Sequence, residues 1–153
     1  MSVPPVVSLD AVRRELPAAS AYAEAAGLAL ATDHLAETNL AFRVTFMNLH
    51  GEAFLAEFDC RDYPMYPPTV EFVDPLGGPG RGIASLYPSC FHGMPCVCAR
   101  YNRKAYTERG GPHGDWRLVD WQLPTGNGVA IDSLAMIVSD LHSKISQSVG
   151  RLG

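Results

Sequence analysis

Three prolines within six residues limit the structure that the middle of this chain can adopt. They lie in the segment Tyr63-Pro64-Met65-Tyr66-Pro67-Pro68. Proline lacks an amide hydrogen and fixes its own φ angle, so this segment can neither pair in the centre of a sheet nor continue a helix. We therefore expect a rigid, extended connector between two regular elements.

Strand patterns flank the connector on both sides. Apolar residues alternate with other residues over 40–46 and again over 54–58, which is the pattern of half-buried strands. Turn-forming residues at 48–51 predict an antiparallel hairpin between them. Short apolar stretches at 28–32 and 70–73 add one strand before and one after. The sequence thus predicts a four-stranded antiparallel meander.

A helix is predicted before the sheet, over residues 8–26. Its apolar positions recur at helical spacing, Ser8 is placed as the N-cap, and Gly27 is placed to end the helix. Pro17 lies inside the pattern and disfavours helical geometry at Leu16. We expect the helix to be kinked there or split into two short pieces.

A second helix is predicted near the end of the chain, with Asn127 and Asp132 as possible caps. Its apolar stripe predicts one buried face and consists of Ile131, Leu134, Val138, Leu141 and Ile145. The order of helix, strands, irregular segment and helix predicts an α/β (α+β) fold. No internal repeat or linker divides the chain, so we expect one domain over residues 1–153.

Composition excludes several classes of function. The net charge is −4, and the longest run of basic residues is Arg13-Arg14, so we expect no binding to nucleic acid. No stretch is long and apolar enough to span a membrane, and the first residues do not resemble a secretion signal. We therefore expect a cytoplasmic protein with no membrane partner.

Three of the four cysteines, Cys90, Cys96 and Cys98, lie within residues 87–116. Thiols stay reduced in the cytoplasm, so a cysteine cluster there indicates catalysis or metal binding rather than disulfides. Cys60 lies apart, in a strand-like run, and is expected to be a small buried hydrophobic residue.

A structural zinc site is one alternative for this segment, with ligands drawn from Cys90, His92, Cys96, Cys98 and His113. Cys-x-His and Cys-x-Cys spacings replace the usual paired Cys-x2-4-Cys arrangement, which makes a closed tetrahedral site a poor fit. A zinc deaminase fits less well, because Pro95-Cys96-Val97-Cys98 is one residue short of Pro-Cys-x-x-Cys and no His-x-Glu precedes it. We expect neither a metal nor an organic cofactor.

One motif resembles a known family. The pattern Tyr63-Pro-x-x-Pro-Pro-x-Val-x-Phe72 is followed by a Val-Cys element, a Trp and an amphipathic helix. This order resembles the E2 ubiquitin-conjugating superfamily, which implies a UBC-like fold. The family's His-Pro-Asn is replaced by Tyr87-Pro88-Ser89, and the segment 100–116 resembles stand-alone bacterial E2-like proteins of antiviral conjugation operons.

The resemblance implies a conjugating enzyme. Such an enzyme accepts a glycine-ended protein from an E1-like adenylating enzyme as a cysteine thioester and passes it to an amine. In the bacterial operons the glycine-ended partner is a ubiquitin-like modifier or a nucleotidyltransferase. A catalytically inactive E2-like binding module is the second alternative.

Cys98 and Cys96 are the candidate nucleophiles. Cys98 is favoured because its neighbours Val97 and Ala99 can point inward while the thiol points out. Cys96 keeps the family's Gly-x-x-Cys spacing from Gly93. In an extended segment side chains alternate, so Cys96 and Cys98 are expected to share a face.

Other residues of the segment could assist the reaction. Asn102 could donate to an oxyanion, and His92 or His113 could position or polarise the amine. Each also has a structural explanation, since Asn stabilises turns and isolated His residues often hydrogen-bond locally. The nearby cations, Arg100, Arg103 and Lys104, could lower a thiol pKa or contact a partner. Trp116 is expected to be a packing anchor.

Overall fold

The computed structural model describes residues 2–78, 80–91, 95–107, 116–124 and 128–153. Its helices and strands, in chain order, are α1 (Pro5–Ala26), β1 (Ala29–Ala31), β2 (Ala41–Met47), β3 (Ala53–Asp59), β4 (Thr69–Val73) and α2 (Leu134–Ile145). Short 3-10 helices lie between β4 and α2, at Ala84–Leu86, Arg103–Tyr106 and Leu118–Asp120. This mixed α/β order is the one predicted from the sequence.

Helix α1 begins earlier than predicted. Its N-cap is Pro4 and its first residue is Pro5, because proline's fixed φ suits the first turn, where its missing amide hydrogen costs nothing. Ser8 is buried within the helix instead of capping it, so that prediction is wrong. Pro17 does not split the helix. Pro17 lies on the exposed side, where water can bind the carbonyl that loses its partner.

The end of α1 follows the prediction. Gly27 has a φ of 73°, a left-handed conformation that residues with a side chain rarely adopt. The amide of Leu28 donates to the carbonyl of Ala23 at 2.8 Å, and this contact closes the last turn of the helix.

The four strands form one antiparallel sheet in the order β1-β2-β3-β4, which confirms the predicted meander. Phe42 pairs with Phe58 across β2 and β3, and Phe46 pairs with Phe54. Burial alternates along both strands, so one face of the sheet carries the core side chains. The Phe42 and Phe58 rings stack with their centroids 4.8 Å apart.

Both helices contribute to the same hydrophobic core as the buried face of the sheet. Val12 and Ala19 of α1 and Ile137 and Leu141 of α2 are fully buried within it. The two helices also contact each other through the hydroxyl of Tyr22 and Nδ1 of His142, which are 2.9 Å apart. None of the helices in the described ranges combines the length and apolar character needed to cross a bilayer.

The Pro-rich connector is less extended than predicted. Asp62, the residue before it, has a φ of 64°. Turns run over residues 61–65, into the start of the connector, and include the cis Tyr63–Pro64 bond. Prolines 67 and 68 are then buried and lead into β4. The prolines exclude regular structure as expected, but a left-handed residue and a turn precede the extended part.

Helix α2 begins later than its apolar stripe. Its N-cap is Ser133, whose hydroxyl accepts from the amide of Met136 at 3.3 Å. Asp132 does not cap the helix, Ile131 lies outside it, and Asn127 lies outside the described residues. Ser133 is a strong N-cap residue that the apolar periodicity alone did not reveal.

Candidate functional site

Cys98 lies at the apex of a tight turn formed by residues 97–99, which we call the Cys98 turn. The amide of Ala99 donates to the carbonyl of Val97 at 3.0 Å, which closes a three-residue turn. Val97 is fully buried and Ala99 is 7% exposed, whereas Cys98 is exposed. The two neighbours therefore hold the turn in the core while the thiol side faces outward, as the sequence predicts.

Cys96 and Cys98 do not share a face, so that prediction is wrong. Cys96 is buried, with 6% of its surface exposed. The alternation of an extended chain does not apply here, because the chain folds into the Cys98 turn and then into a further turn between Ala99 and Asn102. The structure describes all four cysteines, and Cys98 is the only exposed one among them.

Asn102 is fully buried beneath the Cys98 turn. Its Nδ2 donates to the carbonyl of Val97 at 2.8 Å, and its Oδ1 accepts from the amide of Val70 at 2.8 Å. Oδ1 also accepts from the amide of Lys104 at 3.2 Å. A carboxamide in this position does not face a substrate at Cys98, so the predicted oxyanion role does not fit its location.

The remaining predicted site residues, His92 and His113, lie outside the described residues, as does Gly93. Their proposed roles in positioning an amine stay predictions.

The cations that follow Cys98 hold the segment in place. Arg100 donates to the carbonyls of Leu123 and Asp120 at 2.7 and 2.9 Å. Arg103 pairs with Asp62 at 3.0 Å, and Lys104 pairs with Glu71 of β4. These contacts join the site segment to Asp62, just before the connector, to the sheet and to residues 118–123.

A cavity of about 270 Å³ opens beside Cys98, and we call it the Cys98 cavity. Its polar lining residues include Arg100, Tyr101, Asp140 and Lys144. The Tyr101 hydroxyl donates to Oδ2 of Asp140 at 2.7 Å, and Lys144 pairs with the same oxygen at 2.8 Å. The apolar lining includes Trp116, Trp121, Leu123, Val129 and Ile131.

Two parts of this cavity were not predicted. Asp140 and Lys144 lie one turn apart on α2, where charged residues ordinarily indicate a solvated helix face. Trp121 is 2% exposed and donates to the carbonyl of Pro64 at 3.0 Å, which makes it the deeper packing anchor. Trp116 is half-buried and packs with its ring centroid 5.9 Å from that of Tyr106.

The other cysteines are less accessible than Cys98. Cys60 is fully buried in the core, as predicted, and burial raises the pKa of its thiol well above the usual value. Cys90 is half-buried, and partial burial raises its thiol pKa despite a hydrogen bond with Ser148 that acts in the opposite direction.

Within the described ranges no group of three His, Cys, Asp or Glu residues is placed to hold a metal ion. Two of the five residues considered for zinc, His92 and His113, lie outside those ranges.

Comparisons of this chain with family models, with curated proteins and with solved structures found no match.

Proposed function

We propose that this chain is an E2-type acyl transferase with a UBC-like fold, whose nucleophile is Cys98. It accepts the C-terminal glycine of a partner protein from an E1-like adenylating enzyme and transfers it to an amine. The observation that carries the proposal is the position of Cys98, which is exposed on a turn whose two flanking side chains are buried. A nucleophilic thiol needs this access and this rigid support.

The order of the helices and strands and the position of the connector also support the proposal. The order of helix, four-stranded meander, long irregular segment and helix is the order that the resemblance implies. The Tyr63-Pro-x-x-Pro-Pro connector lies next to the site, because Trp121 of the Cys98 cavity binds the carbonyl of Pro64.

The reaction has two steps. The Cys98 thiolate attacks the activated glycine carbonyl held by the adenylating enzyme, so a C–S bond forms to Cys98. The bond from that carbonyl to its activating group breaks, and the leaving group is AMP or a cysteine thiolate of the adenylating enzyme. The acceptor amine then attacks the thioester, a C–N bond forms, the C–S bond breaks, and the amine proton is lost to solvent or a base. The Cys98 cavity offers space beside the sulfur for a narrow chain end such as glycine.

The partners follow from the same resemblance. They are an E1-like enzyme and a glycine-ended protein, either a ubiquitin-like modifier or a nucleotidyltransferase, acting in bacterial antiviral defence in the cytoplasm. The alternatives are an inactive E2-like binding module and a zinc-binding domain. The exposed thiol of Cys98 favours the enzyme over the binding module.

The test uses an E1-like enzyme encoded beside this chain, its glycine-ended substrate and ATP. Wild-type protein should form an adduct that reductant removes, Cys98→Ala should form none, and Cys96→Ala and Cys90→Ala should both keep it. Cys98→Ser should trap an ester that resists reductant, because an alkoxide is a poorer leaving group than a thiolate.

Two outcomes would contradict the proposal. An adduct that survives in Cys98→Ala and disappears in Cys96→Ala would move the nucleophile to Cys96. An adduct that survives in both variants would exclude a thioester at this site.

A further inference from the structure

We infer that Asn102 is a positioning residue, which holds the Cys98 turn against strand β4 through its buried carboxamide. The inference rests on the proposed role of Cys98 as the nucleophile. It gives Asn102 a role different from direct contact with the reacting atoms.

The first contact of Asn102 is with the carbonyl of Val97. This carbonyl belongs to the peptide group that joins Val97 to Cys98, and it accepts two hydrogen bonds. One comes from the amide of Ala99 at 3.0 Å and the other from Nδ2 of Asn102 at 2.8 Å. Because that peptide group ends at the Cys98 Cα, the second bond restrains the backbone from which the thiol projects.

The second contact of Asn102 is with the edge of β4. β4 is the last strand in the sheet order. Its outer edge therefore presents N–H and C=O groups that no strand in the described part of the chain pairs. Oδ1 of Asn102 accepts from the amide of Val70 at 2.8 Å, and the amide of Arg103 donates to the carbonyl of Pro68 at 2.9 Å. Asn102 thus binds the edge of β4, and Arg103 binds the residue just before it, much as a short strand would.

An ordinary helix cap does not account for this arrangement. Asn102 does cap the 3-10 helix Arg103–Tyr106, but that role uses only the contact from Oδ1 to the amide of Lys104. The bonds to Val70 and Val97 reach a strand and a turn outside that helix. Asparagine suits all three roles because it carries an acceptor and a donor on one short planar group.

The chain offers a matched control in Asn48, a second buried asparagine that organises a different turn. Its Oδ1 accepts from the amides of His50 and Glu52 at 3.0 and 2.9 Å, and its Nδ2 donates to the Glu52 side chain at 2.8 Å. Both residues are buried and each makes three contacts of this kind. Only Asn102 binds the Cys98 turn.

The experiment compares Asn102→Ser with Asn48→Ser. Serine keeps a capping oxygen but is too short to bridge Val70 and Val97. Two quantities are measured in the full chain without denaturant or partner: the iodoacetamide alkylation rate of Cys98 relative to that of Cys90, by peptide mass spectrometry, and the midpoint of urea unfolding.

We expect both variants to unfold at lower urea concentration than the wild type. In Asn102→Ser the Cys98 turn is no longer held, and the small apolar thiol can move into the core. The ratio of the Cys98 alkylation rate to the Cys90 rate should therefore fall about threefold or more, because thiol reactivity follows exposure. The ratio in Asn48→Ser should stay at the wild-type value. An unchanged ratio in Asn102→Ser, or an equal fall in both variants, would overturn the inference.

If Asn102→Ser does not fold, a measurement on the wild type still tests the contact between Asn102 and β4, on which the inference depends. Hydrogen exchange at the Val70 amide should be as slow as at the paired amides of the sheet, because Asn102 protects it on the outer edge of β4. Exchange of Val70 at the rate of an unprotected edge amide would overturn the inference.

Alkylation needs no adenylating enzyme, so this test is independent of the proposed function. If Cys98→Ala still forms an adduct, the proposed function fails while the alkylation result stands. If Cys98 carries the thioester but its alkylation is unaffected in Asn102→Ser, only the positioning role fails.

Discussion

The carboxylate of Glu15, in α1, lies 2.8 Å from the backbone nitrogen of Leu134, the first residue of α2. Both of its oxygens also accept from the hydroxyl of Tyr63, at 2.7 and 2.8 Å. Burial and the adjacent carboxylate raise the pKa of Tyr63, so the phenol remains a neutral donor. One side chain thereby links the first helix, the connector and the positive end of the second helix.

Removing this carboxylate should destabilise the fold. Glu15→Ala leaves the Tyr63 hydroxyl and the Leu134 amide without their charged acceptor, at a cost of about 2 kcal/mol in unfolding free energy. Urea unfolding at neutral pH measures the change. Glu24→Ala, at an exposed position of the same helix, should change stability by less than about 0.5 kcal/mol. Equal effects of the two substitutions would show that the Glu15 contacts do not stabilise the fold.

The strands were predictable because their signal is local and periodic. Alternation of apolar residues located β2 and β3, and the same pattern fixes their register through pairs such as Phe42 with Phe58. The helix starts were not predictable from periodicity. The N-caps, Pro4 and Ser133, set the helix starts through backbone and hydroxyl geometry. The apolar stripe of α2 starts at Ile131, which lies before the helix.

The site was predictable in its centre and not in its surroundings. The burial of both neighbours of Cys98 could be predicted, because Val97 and Ala99 are apolar. The burial of Cys96 could not, because it depends on a turn closed by one backbone hydrogen bond. The Cys98 cavity depends on Asp140, which is distant in sequence and reaches the site only through the packing of α2.

The four cysteines should differ in reactivity in the order of their exposure. Cys98 should be alkylated first under native conditions and Cys90 more slowly, because Cys90 is half-buried and has a raised thiol pKa. Cys96 and Cys60 are buried and should react last. A time course with peptide mass spectrometry measures the order, and the differences should largely vanish in denaturant. Faster reaction of Cys96 than of Cys98 would contradict the geometry of the turn.

The chain should fold without metal. The core joins two helices and a four-stranded sheet, so its stability does not require a metal site. We expect purified protein to contain less than stoichiometric zinc by elemental analysis, and its melting temperature to be unchanged by a chelator. Stoichiometric zinc together with unfolding on chelation would instead support the zinc-binding alternative.

The two buried prolines of the connector should stabilise the fold. Pro67→Ala with Pro68→Ala increases the freedom of the unfolded chain and removes buried ring atoms, at a cost of about 1–3 kcal/mol. The carbonyl of residue 68, which accepts from Arg103, is kept in the variant. Thermal unfolding measures the change, and exposed Pro75→Ala is the control. An unchanged melting temperature in the double variant would show that the connector is not structural.

The last prediction concerns acid stability and Asp62. Its carboxylate accepts from the amide of Val3 at 2.8 Å and pairs with Arg103 at 3.0 Å. These contacts, the Val3 hydrogen bond first, lower the pKa of Asp62 below its usual 3.8. A carboxyl with a lowered folded-state pKa stabilises the fold above the unfolded-state pKa, and this stability is lost as pH falls through the folded-state value.

Asp62→Asn isolates this charge, because asparagine tolerates the left-handed backbone of residue 62 and keeps one acceptor oxygen. At neutral pH the variant should be less stable than the wild type by about 1 kcal/mol. The difference should shrink as the pH falls below 3.8, the usual value for the group, because the carboxyl then binds a proton in the unfolded chain. It should disappear once the pH passes the lower folded-state pKa and the folded carboxyl is neutral as well. Urea unfolding from neutral to acid pH measures it, with Asp10→Asn, at an exposed helix position, as the control. A difference between Asp62→Asn and the wild type that persists unchanged at acid pH would show that the ionised carboxylate is not what stabilises this contact.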